Sequence, residues 1–143
     1  MNGLQFSLSL RLWHPTFHAA NLTAEFDLEV EVSHDIKERR RTPKGTILDG
    51  VYSETYCCFS LKKNSEGRLG SDLNVWCEYL ERHASFLREF VHTGGRLEFY
   101  VSIFLDGDRG FEIKNSMFRR ICALGLDLSV EMYRLNDKEA APF

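Results

Sequence analysis

Leu4, Phe6, Leu8, Leu10 and Leu12 alternate with Gln5, Ser7, Ser9 and Arg11, and this strict period of two narrows the fold more than any other feature of the chain. In an extended segment successive side chains leave on opposite faces, so the run is a strand with one apolar face and one polar face. The pattern returns in Leu97, Phe99, Val101, Ile103 and Leu105, where Tyr100 and Phe104 make the second face apolar too and predict a strand flanked on both sides. It returns again in Leu126, Leu128, Val130 and Met132, set against Asp127, Ser129, Glu131 and Tyr133. Half-polar strands of this kind require a sheet whose apolar face is covered by other elements.

Helical spacing supplies the cover. Leu73, Trp76, Cys77, Leu80, Ala84, Leu87 and Val91 recur at three- and four-residue intervals, which predicts one long helix capped by Ser71 or Asp72 and stopped by Gly94 and Gly95. Shorter helices are expected in the Phe17–Phe26 stretch and from Ser116 to Leu124, the latter closed by Gly125. "VYSETYCCFSL" reads as another strand and "KKNSEGRLGSD" as polar connection. Thr42-Pro43-Lys44-Gly45 fits a turn inside a loop or loose hairpin between Ser33 and Gly50. The expectation is an α+β two-layer sandwich, a mostly antiparallel sheet with helices on one face and ferredoxin-like β-α-β units. It is a single domain over 1–143, with 137–143 a frayed tail. Eleven Phe, five Tyr and two Trp point to a core built on aromatic packing.

Composition removes several function classes. A net charge of −3 lacks the bulk positive charge of a non-specific nucleic-acid binder, so direct nucleic-acid binding is not expected. No run approaches the ~20 apolar residues of a membrane span, and "MNGLQFSLSL" reads as a strand rather than a leader, so the expected location is the cytoplasm. Cys57, Cys58, Cys77 and Cys122 show no zinc-like spacing and read as reduced thiols, one of the adjacent pair in the core and the other more exposed. His14 and His18 are four apart, but Pro15 holds His14 out of helical geometry, and they read as surface or strand-end histidines. "DGDRGFE" sets Asp106 and Asp108 as a calcium loop would, yet Gly110 and Met117 stand where ligands are needed. With no GxSxG and no phosphate-cradling glycine loop, no catalytic residue, metal or cofactor is assigned.

"EFDLEVEV", Glu25 to Val32, alternates acid with apolar residue throughout. Read as extended, with the switch from helix near Glu25–Asp27, it points its carboxylates one way at a spacing of about 7 Å. That lies inside the ~8 Å screening length at physiological salt. Such repulsion serves a folded chain either as charged protection of a sheet edge or as a surface for a basic partner. The candidate partner-binding residues are Glu25, Asp27, Glu29, Glu31 and Asp35. Arg39, Arg40, Arg41 and Lys44 are set for phosphate or for solvent, with Asp35 and Glu38 nearby to offset them.

"TPKGTILDGVYSETY", through Thr42, Pro43, Gly45, Leu48, Gly50, Tyr52 and Tyr56, resembles an uncharacterised family of small bacterial proteins. "LSLRLWHP" and "LGLDLSVEMY" are similar to that family's two ends, so the resemblance spans nearly the whole chain. Members commonly place Ser and Tyr-Trp where this chain has Thr55 and Tyr56-Cys57, a departure that leaves no role for that tryptophan here. Some small proteins of this kind lie beside toxin genes and resemble immunity proteins of contact-dependent growth inhibition systems, which bind and block a cognate toxin domain, often a nuclease. A nucleic-acid-handling toxin has a basic surface, so the implied partner is a cognate toxin and the implied inhibitor surface acidic. Two other readings are a small enzyme or ligand-sensing domain with a pocket near Tyr52, Tyr56 and the arginines, and an RNA-associated module using Arg39 to Arg41.

Overall fold

The first strand, β1 (Leu4–His14), occupies the middle of the molecule, and its even-numbered residues are buried while its odd-numbered ones are half-buried. The computed structural model describes residues 4–135. After β1 the chain runs α1 (Ala19–Glu25), β2 (Glu29–His34), β3 (Arg39–Arg41), β4 (Ile47–Val51), β5 (Thr55–Gly67) and α2 (Leu69–Glu81). It continues through α3 (Ala84–His92), β6 (Arg96–Leu105), α4 (Asn115–Ala123) and β7 (Leu126–Arg134). One sheet has the order β2-β5-β1-β6-β7, antiparallel except where β7 runs parallel to β6, and β3 and β4 pair separately as a hairpin. The fold is therefore α+β with a mostly antiparallel sheet, and its β-α-β logic is realised in β6-α4-β7. The expected tail at 137–143 lies outside the described residues.

The four helices among the described residues lie on the even-numbered side of β1. Leu22 of α1, Leu73 and Leu80 of α2, Leu87 and Phe90 of α3, and Met117 and Ile121 of α4 join it in one hydrophobic core. Phe6, Phe26, Phe59, Phe90 and Phe99 are fully buried there, and each gains about 2–3 kcal/mol by leaving water. Phe26 meets Phe59 and Phe86 edge-on at centroid distances of 5.7 Å, the geometry that ring quadrupoles favour.

The helix expected to run through Leu73–Val91 is two helices. His83, at φ −109° and ψ 20°, starts α3 after Arg82 closes α2. Its ring is held from outside the helix: Nδ1 lies 2.5 Å from the Glu25 carboxylate, and the ring sits 4.9 Å from that of Phe26. The break sets Leu87 and Phe90 into the core and leaves Val91 exposed. Gly95 then permits a close approach, since a Cβ there would fall 2.4 Å from the Phe90 ring. The N-cap of α2 is Arg68, ahead of Ser71 and Asp72.

β5 also runs on through the "KKNSEG" segment expected to be connection, because β1 offers a template: Phe6 pairs with Ser65 and Leu4 with Gly67. An irregularity near Asn64, at φ 45°, is absorbed by its N–H donating to Ser7 Oγ at 3.1 Å. His14 ends its strand as expected but is buried rather than exposed. The N–H groups of Thr16 and Phe17 donate to its Nδ1 at 3.0 and 2.9 Å, which leaves the ring hydrogen on Nε2, 2.8 Å from Thr93 Oγ1. Cys57 and Cys58 are both buried, so the adjacent pair does not divide into core and exposed.

Candidate binding face of the sheet

The odd-numbered residues of β1 face away from the helices, and pairing gathers their neighbours on the same side. Ser7 stands opposite Ser102, Ser9 opposite Ser60 and Tyr100, Arg11 opposite Cys58 and Glu98, and Trp13 opposite Tyr56 and Arg96. Across β6 and β7, Ser102 adjoins Glu131 and Phe104 adjoins Tyr133. The face holds a depression of about 490 Å³ whose floor is the small hydroxyls of Ser7, Ser9, Ser60 and Ser102, and whose walls include Tyr56, Tyr100 and Tyr133. Serine in the centre and tyrosine beside it make a hollow because the side chains differ in reach.

Arg11 is fixed in the middle of this face. Its guanidinium carbon lies 4.4 Å from the Tyr100 ring centroid and 5.1 Å from that of Trp13, within cation–π range. Nε sits 2.9 Å from Glu98 Oε1. Neither atom makes an aligned hydrogen bond, so the contact is one of charge. The other Glu98 oxygen accepts from Ser129 Oγ at 2.8 Å. Glu98 is only 9% exposed, and a buried carboxylate that lost its cation would be strongly destabilising. Arg96 covers Trp13 at 4.6 Å and reaches Glu54 at 3.6 Å.

On the β7 rim the Tyr133 hydroxyl donates to Glu131. That bond, joined by one from Tyr100, holds the Glu131 carboxyl below its ordinary range, and the same bond raises the Tyr133 phenol. Tyr100 and Tyr133 hydroxyls stand 3.5 Å apart, and the Phe104 ring stacks on Tyr133 at 5.8 Å. On the opposite rim Cys58 Sγ donates to Glu31 at 3.7 Å. Burial raises the Cys58 thiol, and it pushes Cys57 up to about 12 and Cys77 up to about 11. All three stay protonated near neutral pH and are poor nucleophiles.

The four acids expected to form one stripe, and Asp35 expected on the same surface, are dispersed. Glu25 closes α1 against His83, and Asp27 is exposed in the connection to β2. Asp35 accepts the Ala19 N–H at 2.6 Å and lies 3.5 Å from His18. Glu29 pairs with Lys63 at 3.1 Å. Glu29 and Glu31 alone border the open face, and the row breaks because α1 persists to Glu25 and the β2–β5 register slips between Val30 and Val32. Arg39 to Arg41 are exposed on the β3–β4 hairpin and do not line the depression, whereas Tyr56 does. Tyr52 instead stacks on His34 at 3.4 Å.

Sequence reasoning missed Arg11, Glu98, Tyr100, Phe104, Glu131 and Tyr133 as a group. A signal was present: the polar halves of these strands are Ser, Tyr and Arg, where a plainly solvated face would carry mostly Lys and Glu. A second cavity of about 520 Å³ opens where α2 and α4 begin, lined by Arg68, Ser71, Asn74, Phe111 and Lys114 among others. Among the described residues no cluster of His, Cys, Asp or Glu is set to hold a metal ion, and no helix is long and apolar enough to cross a membrane. A family model described as a domain of unknown function matches residues 4–135. Comparisons with curated proteins and with solved structures returned no match.

Proposed function

The chain belongs to the DUF4279 family, and from the face just described we propose that it is a non-enzymatic binding protein that neutralises a cognate toxin domain with a basic surface. The observation that carries this reading is the uncovered side of the sheet, an aromatic hollow lined by Glu31, Lys62 and Lys63, with Glu29 opposite Ser60 at one side and Glu131 opposite Ser102 at the other. Macromolecular partners use buried tyrosine and tryptophan as anchors, with charge at the rim to speed encounter. The class of partner is what the family resemblance read in the sequence implies. Its four free cysteines suit a reducing cytoplasm.

The test is co-purification with the C-terminal domain encoded by the adjacent upstream reading frame. Parent protein should capture that domain, and a Glu29→Gln/Glu31→Gln variant should associate roughly tenfold more slowly at low salt, the difference closing as salt rises. No capture, or identical association across ionic strengths, would overturn the proposal. The hollow's volume lies within the range of roughly 300–1,000 Å³ typical of small-molecule sites, which favours a second reading as a ligand sensor. Under that reading a saturable small molecule raises thermal stability and no toxin domain is captured.

A further inference from the structure

β2 and β3 follow one another along one edge of the molecule, and the charge on that edge changes sign halfway. Among the described residues β2 is the outermost strand on its side of the sheet, and β3 pairs with β4 alone. The connection between them stays bound to the strand behind it. Ile36 N–H donates to Thr55 Oγ1 at 3.0 Å, Lys37 N–H to Tyr52 O at 2.8 Å, and Tyr52 N–H to Glu38 O at 2.9 Å. The first half of the edge carries Asp27, Glu29 and Glu31, with Lys63 beside Glu29 at 3.1 Å. The second half carries Lys37, Arg39, Arg40, Arg41 and Lys44, with Glu38 and Asp49 as its acids. None of those five cations enters an ion pair among the described residues, and every residue of β3 and β4 is exposed. Val30 and Val32 are exposed beside the acids.

We infer that a second copy of the chain docks along this edge, antiparallel and related by a two-fold axis near Asp35. Glu29 and Arg41 are equally far from Asp35 along the chain, as are Glu31 and Arg39, so the antiparallel copy brings each acid toward an arginine and the symmetry repeats both pairs. Residues two apart on a strand are about 7 Å apart, and the spacing is the same for the acids and the arginines. Asp35, nearest the axis, is already engaged within its own copy by the Ala19 N–H at 2.6 Å. Glu29 and Lys63 are 66% and 56% exposed, and an exposed pair of that kind gives way to a better partner at little cost. The bulge between Val30 and Val32 and the turn from Asp35 to Glu38 interrupt the strand. The copies therefore meet through side chains and do not extend one ladder, which keeps the contact salt-sensitive and closed at two chains. A uniformly basic surface laid along the whole edge would suit Glu29 and Glu31 and be repelled by Arg39 to Arg41, and a nucleic-acid backbone would do the opposite. The same edge turned round suits both halves. This inference goes beyond the toxin reading and does not rest on it.

Sedimentation equilibrium of the full chain at low and at physiological salt tests this with a charge swap. The parent should form a dimer that weakens as salt rises. Arg39→Glu/Arg41→Glu and Glu29→Arg/Glu31→Arg, each checked for folding by circular dichroism, should each self-associate at least about tenfold more weakly, because like charges then face each other. An equal mixture of the two variants restores every opposite pair and should regain the parent's association. A parent that stays monomeric at low salt, variants that associate as the parent does, or a mixture that stays monomeric would each refute the dimer. Should Glu29→Arg/Glu31→Arg not fold, Arg39→Glu/Arg41→Glu decides alone, with parent-like association as the refuting result. A monomeric parent that binds an RNA oligonucleotide through Arg39 to Arg41 would replace the second copy with phosphate. Toxin capture by a strictly monomeric parent would sink the dimer and leave neutralisation standing, and a charge-swapped mixture that reassociates without any capture would do the reverse.

Discussion

His14 shows how much one side chain can commit at the junction of sheet and helices. Burial lowers its pKa from the ordinary 6.5, and two N–H donors on Nδ1 oppose a proton there. Below about pH 6.5 the unfolded chain takes up a proton that the folded chain refuses, so stability should fall as pH drops through the folded value. His34, half-buried and likewise shifted down, contributes in the same direction. Urea unfolding between pH 5 and pH 8 should therefore show stability declining on the acid side, with a shallower decline in His14→Gln. Thr93→Val, which removes the acceptor of the Nε2 hydrogen, should cost about 1–3 kcal/mol at pH 7. None of this was visible in the spacing of His14 and His18, because the partners of His14 include Thr93, far along the chain.

Elements whose period had no competitor were legible. β1, β6, β7 and α4 follow from alternation or from three- and four-residue spacing, since each buries one face against a single layer. The α2–α3 break was not, because apolar spacing continues through Arg82 and His83, and the cause is a contact to α1. The acidic row misled for a related reason: the helical and extended patterns compete over Glu25 to Asp27, and the helix, anchored by buried Ala19 and Leu22, keeps Glu25. The β3–β4 hairpin is a different case. Every residue of both strands is exposed, and the turn at Thr42–Gly45 closes through Gly45 N–H to Thr42 O at 2.8 Å with Gly45 at φ +88°. Two strands alone are marginal in water, so replacing residues 39–51 by a short Gly-Ser link should shift Tm by no more than about 4 °C, roughly 1 kcal/mol. Calorimetry measures this directly, and a larger loss would mean the hairpin supports the sheet.

At the scale of the whole molecule, one core joins the four described helices to the sheet, and the thiols of Cys57 and Cys77 report on it from separate places. Cys57 and Cys58 lie on β5 and Cys77 on α2, while Cys122 is exposed on α4. A thiol reagent should therefore modify Cys122 at once and the core thiols Cys57 and Cys77 together, at a common rate that rises with urea as global unfolding does; staggered labelling of those two would divide the core into independently opening parts. The candidate site belongs to this scale too. Arg11 and Glu98 meet only once β1 and β6 pair, which is why the open face could be read from the chain as polar but not as a constellation. The position of β1 has one more consequence. Its neighbours begin at Thr55 and Arg96, so during synthesis β1 waits for β5 before it is paired on one edge and for β6 before it is paired on the other. Late closure of that kind slows folding and lengthens exposure to aggregation, and nascent chains released before β6 should depend on a chaperone far more than the finished protein does.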